Sequence, residues 1–155
     1  MTSTRTLFFI VKTISTLFFL SICNATHAQT IWEGGTPGCE HDWNHARNWN
    51  TDRVPEIFDD VTIPDLSTKG KNYPIITRPI DEIAYLVLYS GAELTVKGNG
   101  VLIVDGQSTY NYGVYLQGKL YVDKNQLDIL NAGLQKVFSS DQGKIVNPEY
   151  IVEAY

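Results

Sequence analysis

Short apolar segments separated by turns that contain glycine or asparagine dominate the second half of the chain. The clearest are three triplets in which apolar residues flank a central position, and they lie at residues 86–88, 94–96 and 102–104. Their first leucines are spaced by eight residues, and a later series, Leu120, Leu127 and Leu134, is spaced by seven. Short runs bounded by turn residues are typical of β-strands. The pattern therefore predicts an all-β protein with many very short strands.

Two architectures are compatible with such strands. An antiparallel β-sandwich joins neighbouring strands by hairpins, whereas a parallel β-solenoid stacks coils and buries a continuous apolar column. The strands are very short, the Leu-x-Val unit recurs at near-constant spacing, and many turns lack Asn-Gly hairpin chemistry. We therefore predict a short parallel β-solenoid (β-helix), with the antiparallel β-sandwich as the alternative. Residues 127–137 have a partial helical period, so a helix there is the main competing prediction.

A different composition marks residues 32–64, which hold all three tryptophans of the chain, Trp32, Trp43 and Trp49. The open end of a stack of coils exposes unpaired backbone and apolar side chains, so solenoids need capping segments. We predict that this Trp-rich segment is the N-terminal cap and that Trp43 and Trp49 are buried in it as apolar anchors. Residues 40–49 are expected to form one or two helical turns at most.

The first 28 residues have the layout of a secretory signal peptide. Positive charge lies near the start at Arg5 and Lys12, largely apolar runs follow, and small residues precede a cleavage site after Ala28. The apolar run is interrupted by polar residues and is shorter than the ~20 residues that a membrane-spanning helix needs. A lipoprotein signal at Cys23 fits less well, because a large residue precedes the cysteine. The sequence therefore predicts export and cleavage.

Cleavage would divide the chain into a signal peptide at 1–28, a cap at 29–64 and solenoid coils at 65–155. The formal net charge of −5 would become −7, because the leader holds two basic residues and no acid. An acidic surface repels phosphate backbones, which excludes nucleic acid as an expected partner. Only Cys39 would remain, so a disulfide scaffold is excluded even in an oxidising compartment. We expect a secreted or cell-surface protein without a membrane span after signal cleavage.

Several short motifs follow one another in the first part of the mature chain. They are WxG at 32–34, DWNxAxNW at 42–49, VP at 54–55, DDVxIP at 59–64, NYPxI at 72–76 and SGAxLTV at 90–96. In this order and spacing, residues 31–106 resemble the N-terminal portion of secreted, adhesin-like β-solenoid proteins of Gram-negative bacteria. The resemblance implies a Trp motif that opens the mature chain, a right-handed parallel β-helix after it, and no enzymatic activity.

His41 and His45 form the sharpest constellation of metal-ligand residue types, with Cys39 as a third candidate ligand. Two histidines four residues apart on a helix face the same way. However, the expected helix is very short, and the metalloprotease motif has a glutamate where this chain has Asp42. We therefore favour two solvent-facing histidines without a metal. No catalytic residue is assigned, because no phosphate loop or nucleophile signature is present.

Asp59 and Asp60 are the candidate calcium ligands. They are adjacent, they follow a loop and precede a strand, and Asp65 lies close in sequence. Calcium prefers hard oxygen ligands such as carboxylates and loop carbonyls. The alternative interpretation is that both carboxylates accept hydrogen bonds from backbone N–H groups in the turn. We therefore expect no cofactor, and calcium is the alternative.

Tyrosines are frequent for the length of the chain, which holds nine of them. Exposed aromatic rings can stack on sugar rings, and residues four apart in a strand share one face. The alternative is lateral packing or simple β-propensity. The candidate ligand-binding residues are Tyr85, Tyr89, Tyr112 and Tyr115.

Together these features predict a secreted, non-catalytic β-solenoid module with a structural or adhesive role at the cell surface. Its expected partners are polysaccharides or other surface proteins. The alternative is a carbohydrate-binding module that uses exposed tyrosines. A polysaccharide-active enzyme of the β-helix class is a weaker third interpretation, because the paired carboxylates of such enzymes cannot be assigned from the spacing.

Overall fold

The protein is nearly all β, as the sequence predicts. The computed structural model describes residues 28–106, 113–123, 125–130 and 137–146. Its one helical element in these ranges is a 3-10 turn at Ala46–Asn48, which matches the expectation of a very short helix. The strands are β1 (Ala28–Ile31), β2 (Asp59–Ile63), β3 (Ile75–Ile76), β4 (Tyr85–Leu88), β5 (Glu93–Val96), β6 (Leu102–Val104), β7 (Val114–Leu116), β8 (Lys119–Tyr121), β9 (Leu127–Ile129), β10 (Val137–Ser139) and β11 (Lys144–Val146).

All pairings between these described strands are parallel. The strands form three sheets, in the orders β1-β2-β4-β7-β10, β11-β8-β5-β3 and β6-β9. The antiparallel β-sandwich is therefore wrong for this part of the chain, since its neighbouring strands would run in opposite directions. The helix considered for residues 127–137 does not form at Leu127–Ile129, where the chain forms β9. Residues 131–136 lie outside the described residues.

From β4 onwards, successive strands belong to the three sheets in rotation. β4, β5 and β6 lie in the first, second and third sheet, β7, β8 and β9 repeat this order, and β10 and β11 begin it again. Each strand lies in register beside its counterpart in the preceding round, as Leu94 does beside Leu120. Two parallel neighbours cannot be joined by a tight hairpin. The connecting chain instead passes through the other two sheets.

The core consists of inward side chains that the parallel register aligns from one round to the next. In the first sheet, Val61, Leu86 and Val114 are register partners, and all three are fully buried. Side chains alternate between the two faces of a strand, so one apolar residue in two is enough to build such a column. Complete burial of a side chain of this size stabilises the fold by roughly 1.5–3 kcal/mol.

Glycines at two corners allow successive rounds to approach closely. A Cβ atom on Gly118 would overlap the backbone oxygen of Ala92, and one on Gly100 would overlap that of Ile76. In both cases the oxygen belongs to the preceding round. Any larger residue would push the rounds apart at these corners.

The three tryptophans form one buried cluster, as predicted for Trp43 and Trp49. The ring of Trp49 lies edge-to-face against both others, with centroids 4.9 Å from Trp32 and 4.7 Å from Trp43. None of the three side chains is more than 1% exposed, and all belong to the same core as Val61. Edge-to-face pairs add about 0.5–1.5 kcal/mol to the burial of their area.

The first sheet begins earlier in the chain than the predicted boundary between cap and coils at residue 65. β1 and β2 fall within the predicted cap, yet β2 pairs with β4 over four residues in the first sheet. The Trp-rich loop at residues 32–58 therefore lies between two adjacent strands of that sheet. The predicted signal peptide lies outside the described residues except for Ala28, the first residue of β1.

Replacement of Trp49 by alanine should lower the free energy of unfolding by about 3–5 kcal/mol, because it removes a buried indole that touches two others. Trp49→Phe should cost less, since it keeps an aromatic ring at the centre of the cluster. Urea denaturation followed by circular dichroism measures both changes. A loss below about 1 kcal/mol for Trp49→Ala would contradict the buried position, because surface substitutions have effects of that size.

Candidate functional site

The Trp-rich loop owes its shape to Asn48, a fully buried polar residue. Its side-chain oxygen accepts a hydrogen bond from the backbone N–H of Thr36 at 3.0 Å. Its amide nitrogen donates to the backbone oxygens of Cys39 at 2.7 Å and Asp42 at 3.0 Å. One buried amide thus fixes three separate points of the loop. Its hydrogen bonds offset the free-energy cost of removing the amide from water.

The same loop is attached to the edge of the second sheet through His41 and Asp42. The backbone oxygen of His41 accepts a hydrogen bond from the N–H of Ile75 at 2.8 Å, and Asp42 forms a parallel bridge with Ile75. The imidazole Nδ1 of His41 lies 2.8 Å from the backbone oxygen of Tyr73. Because a carbonyl oxygen only accepts, Nδ1 carries the proton, and Nε2 of the neutral ring is an acceptor.

An open cavity of about 250 Å³ lies where the Trp-rich loop, β3 and the end of β5 meet. We call it the edge cavity. Its lining residues are His41, Asp42, Ile75, Thr77, Arg78 and Lys97.

Charge in the edge cavity is only weakly neutralised. The Nη2 atom of Arg78 lies 3.9 Å from Oδ2 of Asp42, and both side chains are well exposed. Exposed ion pairs at such distances contribute little, since water screens them. Lys97 forms no ion pair with any residue that the structure describes. The cavity therefore keeps a local positive charge.

A second cavity, of about 200 Å³, lies at the corner between the first and second sheets. Its polar side chains bind one another. The hydroxyl of Ser90 donates to Oε1 of Gln142 at 2.7 Å, and Nζ of Lys119 lies 3.3 Å from Oε1 of Glu93. These groups stabilise the contact between successive rounds, and they are less available to a ligand than those of the edge cavity.

The structure does not bring His41, His45 and Cys39 together as one group of metal-ligand residues in the described ranges. No group of three or more His, Cys, Asp or Glu residues there is arranged to hold a metal ion. Nδ1 of His41 is engaged by Tyr73, while Nδ1 of His45 is buried without a hydrogen-bond partner in the described structure. Cys39 is a half-buried free thiol.

Asp59 is held by an arginine, which corrects its assignment as a calcium ligand. Its two carboxylate oxygens accept hydrogen bonds from both terminal nitrogens of Arg53, at 2.5 and 2.6 Å, and one also accepts from the N–H of Glu56. The Asp59 side chain is only 3% exposed. A calcium ion would have to displace this bidentate pair. The hydrogen bond to Asp59 also raises the pKa of Arg53.

Asp60 and Asp65 do not join Asp59 around one point. Asp60 follows Asp59 in β2, so the two side chains leave the strand on opposite faces. The Oδ1 atom of Asp65 accepts hydrogen bonds from the N–H of Ser67 at 2.8 Å and the hydroxyl of Tyr73 at 3.0 Å. The turn interpretation of Asp59 and Asp60 is met in part at Asp59, which accepts from the N–H of Glu56. Asp65, which that interpretation did not include, makes the same kind of hydrogen bond.

The four candidate tyrosines do not form one exposed face. Tyr85 is only 4% exposed and cannot stack on a sugar, which corrects its assignment. The ring of Tyr115 is half-buried and stacks on Phe138, with centroids 5.3 Å apart and planes 3° from parallel. Tyr89 is 46% exposed, and Tyr112 lies outside the described residues. Strand alternation does not show whether other parts of the chain cover an outward side chain.

Tyr73 is a structural residue that the sequence did not reveal as one. Its hydroxyl accepts a hydrogen bond from the N–H of Leu66 at 3.0 Å and lies 2.8 Å from the backbone oxygen of Gly91. Burial raises the pKa of Tyr73, and its hydrogen bond to Asp65 acts in the same direction. The backbone N–H of Ser67 lowers the pKa of Asp65. Only the fold brings the residues around this hydroxyl together, so no local motif could identify them.

No protein-family model, curated protein sequence or solved structure matches this chain. Within the described ranges, no helix has the length and apolar character needed to cross a membrane.

Stability at high pH should depend on Tyr73. Its raised pKa means that its contribution to the free energy of unfolding is complete below the ordinary tyrosine pKa of about 10 and is lost as the pH rises through the higher folded value. Tyr73→Phe should therefore be less stable at pH 7 and lose less further stability between pH 9 and 11. Urea denaturation at each pH measures this change. Tyr89→Phe, at an exposed tyrosine, is the control, and an identical alkaline loss in both variants would contradict the assignment.

Proposed function

We propose that the described strands form a short parallel β-solenoid and that the chain is a secreted, non-catalytic module with a structural or adhesive role at the cell surface. The observation that supports the solenoid is the rotation of successive in-register strands through three parallel sheets. In a solenoid each coil contacts only its neighbours, and the fold offers long lateral surfaces for binding.

The arrangement of the acidic side chains favours a non-catalytic role. Asp59 is bound by Arg53, Glu93 pairs with Lys119, and Asp65 accepts hydrogen bonds from its own turn. A catalytic acid or base has to be able to exchange a proton with a substrate bound in a cleft. These three carboxylates instead hold the chain in place.

Two exposed apolar residues support an adhesive role. Phe58 is 65% exposed and Ile57 is 42% exposed, in the loop that leads into β2. Exposed apolar side chains that are neighbours are a feature of contact surfaces. We infer that this loop is part of the surface that contacts a partner.

A carbohydrate-binding module remains the alternative function, and Tyr89 is the residue that favours it. It lies directly after β4, and its side chain is 46% exposed. In this proposal the ring of Tyr89 stacks on a sugar.

A disulfide test addresses the solenoid. Val87 and Tyr115 are register partners on neighbouring strands, and neighbouring strands lie about 4.8 Å apart, within the ~4.4–6.8 Å that a disulfide spans between Cα atoms. With Cys39 changed to serine, Val87→Cys with Tyr115→Cys should form a disulfide, detected by mass spectrometry without reductant.

The matched control combines Val87→Cys with Gln117→Cys, two residues out of register and therefore too distant to bridge. Efficient cross-linking of this control pair, or none in the register pair, would contradict the parallel in-register stack.

Adhesion of protein-coated beads tests the proposed adhesive role. Beads coated with the protein should resist flow on bacterial cell surfaces longer than beads coated with an inert protein of similar charge, and Phe58→Ser should shorten retention. Equal retention of wild-type and inert beads would contradict an adhesive role.

A parallel pull-down on a polysaccharide panel tests the alternative, since capture that Tyr89→Ala abolishes would favour carbohydrate binding. Failure to capture any polysaccharide would remove that alternative.

A further inference from the structure

We propose that the edge cavity binds an acidic sugar residue, with the sugar carboxylate held by Arg78 and Lys97 and its hydroxyls held by His41 and Asp42. This proposal requires neither the adhesive role nor the tyrosines. It is carried by the combination of charge, acceptors, shape and rigidity in one small cavity.

The cationic side of the cavity provides the attraction for a carboxylate. Lys97 has no ion-pair partner in the described part of the chain, and Arg78 approaches an acid only at 3.9 Å. With two cations and one carboxylate, the lining has a formal charge of +1, whereas the whole chain carries −5. A local positive site on an acidic protein attracts anions selectively, because the remaining surface repels them. Arginine can also bind a carboxylate through two parallel hydrogen bonds.

The opposite side of the cavity presents hydrogen-bond acceptors. An anion without a proton cannot donate a hydrogen bond to them. Because Nδ1 of His41 donates to the backbone oxygen of Tyr73, Nε2 accepts a hydrogen bond when the ring is uncharged. The Oδ1 atom of Asp42 accepts from the N–H of Asn44 at 2.9 Å, and among the described residues the one partner of Oδ2 is Arg78, at 3.9 Å. Fully ionised phosphate or sulfate has no proton to donate to these atoms. A uronic acid has both a carboxylate and hydroxyl donors, so it satisfies both sides.

The size and apolar wall of the cavity suit one sugar ring. Its volume of about 250 Å³ is below the roughly 300–1,000 Å³ of pockets for drug-sized ligands. Ile75 contributes an apolar surface against which the C–H face of a ring can pack. The cavity therefore fits a single residue, such as a chain end or a side branch of a polysaccharide.

Backbone hydrogen bonds hold the cavity in its binding geometry. The oxygen of His41 accepts from the N–H of Ile75 at 2.8 Å, and the N–H of Lys97 donates to the oxygen of Ile76 at 2.9 Å. The walls come from three distant parts of the sequence, yet each is attached to the same edge of the second sheet. Such preorganisation reduces the entropy cost of binding.

Titration of the purified chain with methyl glucuronide, followed by NMR and calorimetry, tests the proposal. Methyl glucoside is the neutral control and inorganic phosphate is the control for an anion alone. We expect the glucuronide to bind at least about tenfold more tightly than either, with shifts at His41 and Lys97. Lys97→Gln and Arg78→Gln should each weaken glucuronide binding by about tenfold or more, as expected for the loss of a charge-assisted hydrogen bond.

Lys69→Gln is the matched control variant, because it removes one exposed lysine charge outside the cavity lining. Its affinity for the glucuronide should be unchanged. Three results would each overturn the proposal: equal binding of glucuronide and glucoside, equal binding of glucuronide and phosphate, or the same affinity in Lys97→Gln and Lys69→Gln. The disulfide and bead experiments do not use the cavity residues, so failure of this titration is distinguishable from failure of the proposed function.

Discussion

The parallel register between successive rounds is the constraint on which the rest of the structure depends. Strands of two to five residues bury too little surface to be stable alone. Each strand has hydrogen-bonded neighbours only because the chain returns to the same sheet in the same register. This register places Leu94 beside Leu120. A slip by one residue would turn these leucines outward. Gly100 and Gly118 preserve the register, since their corners leave no room for a side chain.

The Trp-rich loop has two effects that arise from the same contacts. Its indoles extend the apolar core beyond the strands, and buried Asn48 gives the loop a fixed shape. That fixed shape positions His41 and Asp42 against β3, and so creates one wall of the edge cavity. Stability of the core and the geometry of the proposed site are therefore linked through one loop.

Charged residues in this protein divide into those that hold the fold and those that remain available. The buried carboxylate of Asp59 is neutralised by Arg53, and Glu93 connects two rounds through Lys119. Lys97 has no ion-pair partner among the described residues. Arg78 and Lys97 therefore remain available for binding at the edge of the second sheet.

The sequence determined the all-β class, the short strands and the burial of the tryptophans, because these follow from local alternation and from side-chain size. Leu86 and Leu88 are buried as their spacing indicates. Only the tertiary structure decided that Arg53 pairs with the carboxylate of Asp59, that Tyr85 is buried, and that a cavity forms beside Ile75. Those features depend on contacts across loops or between rounds, and a two-residue repeat contains no information about which distant segments meet.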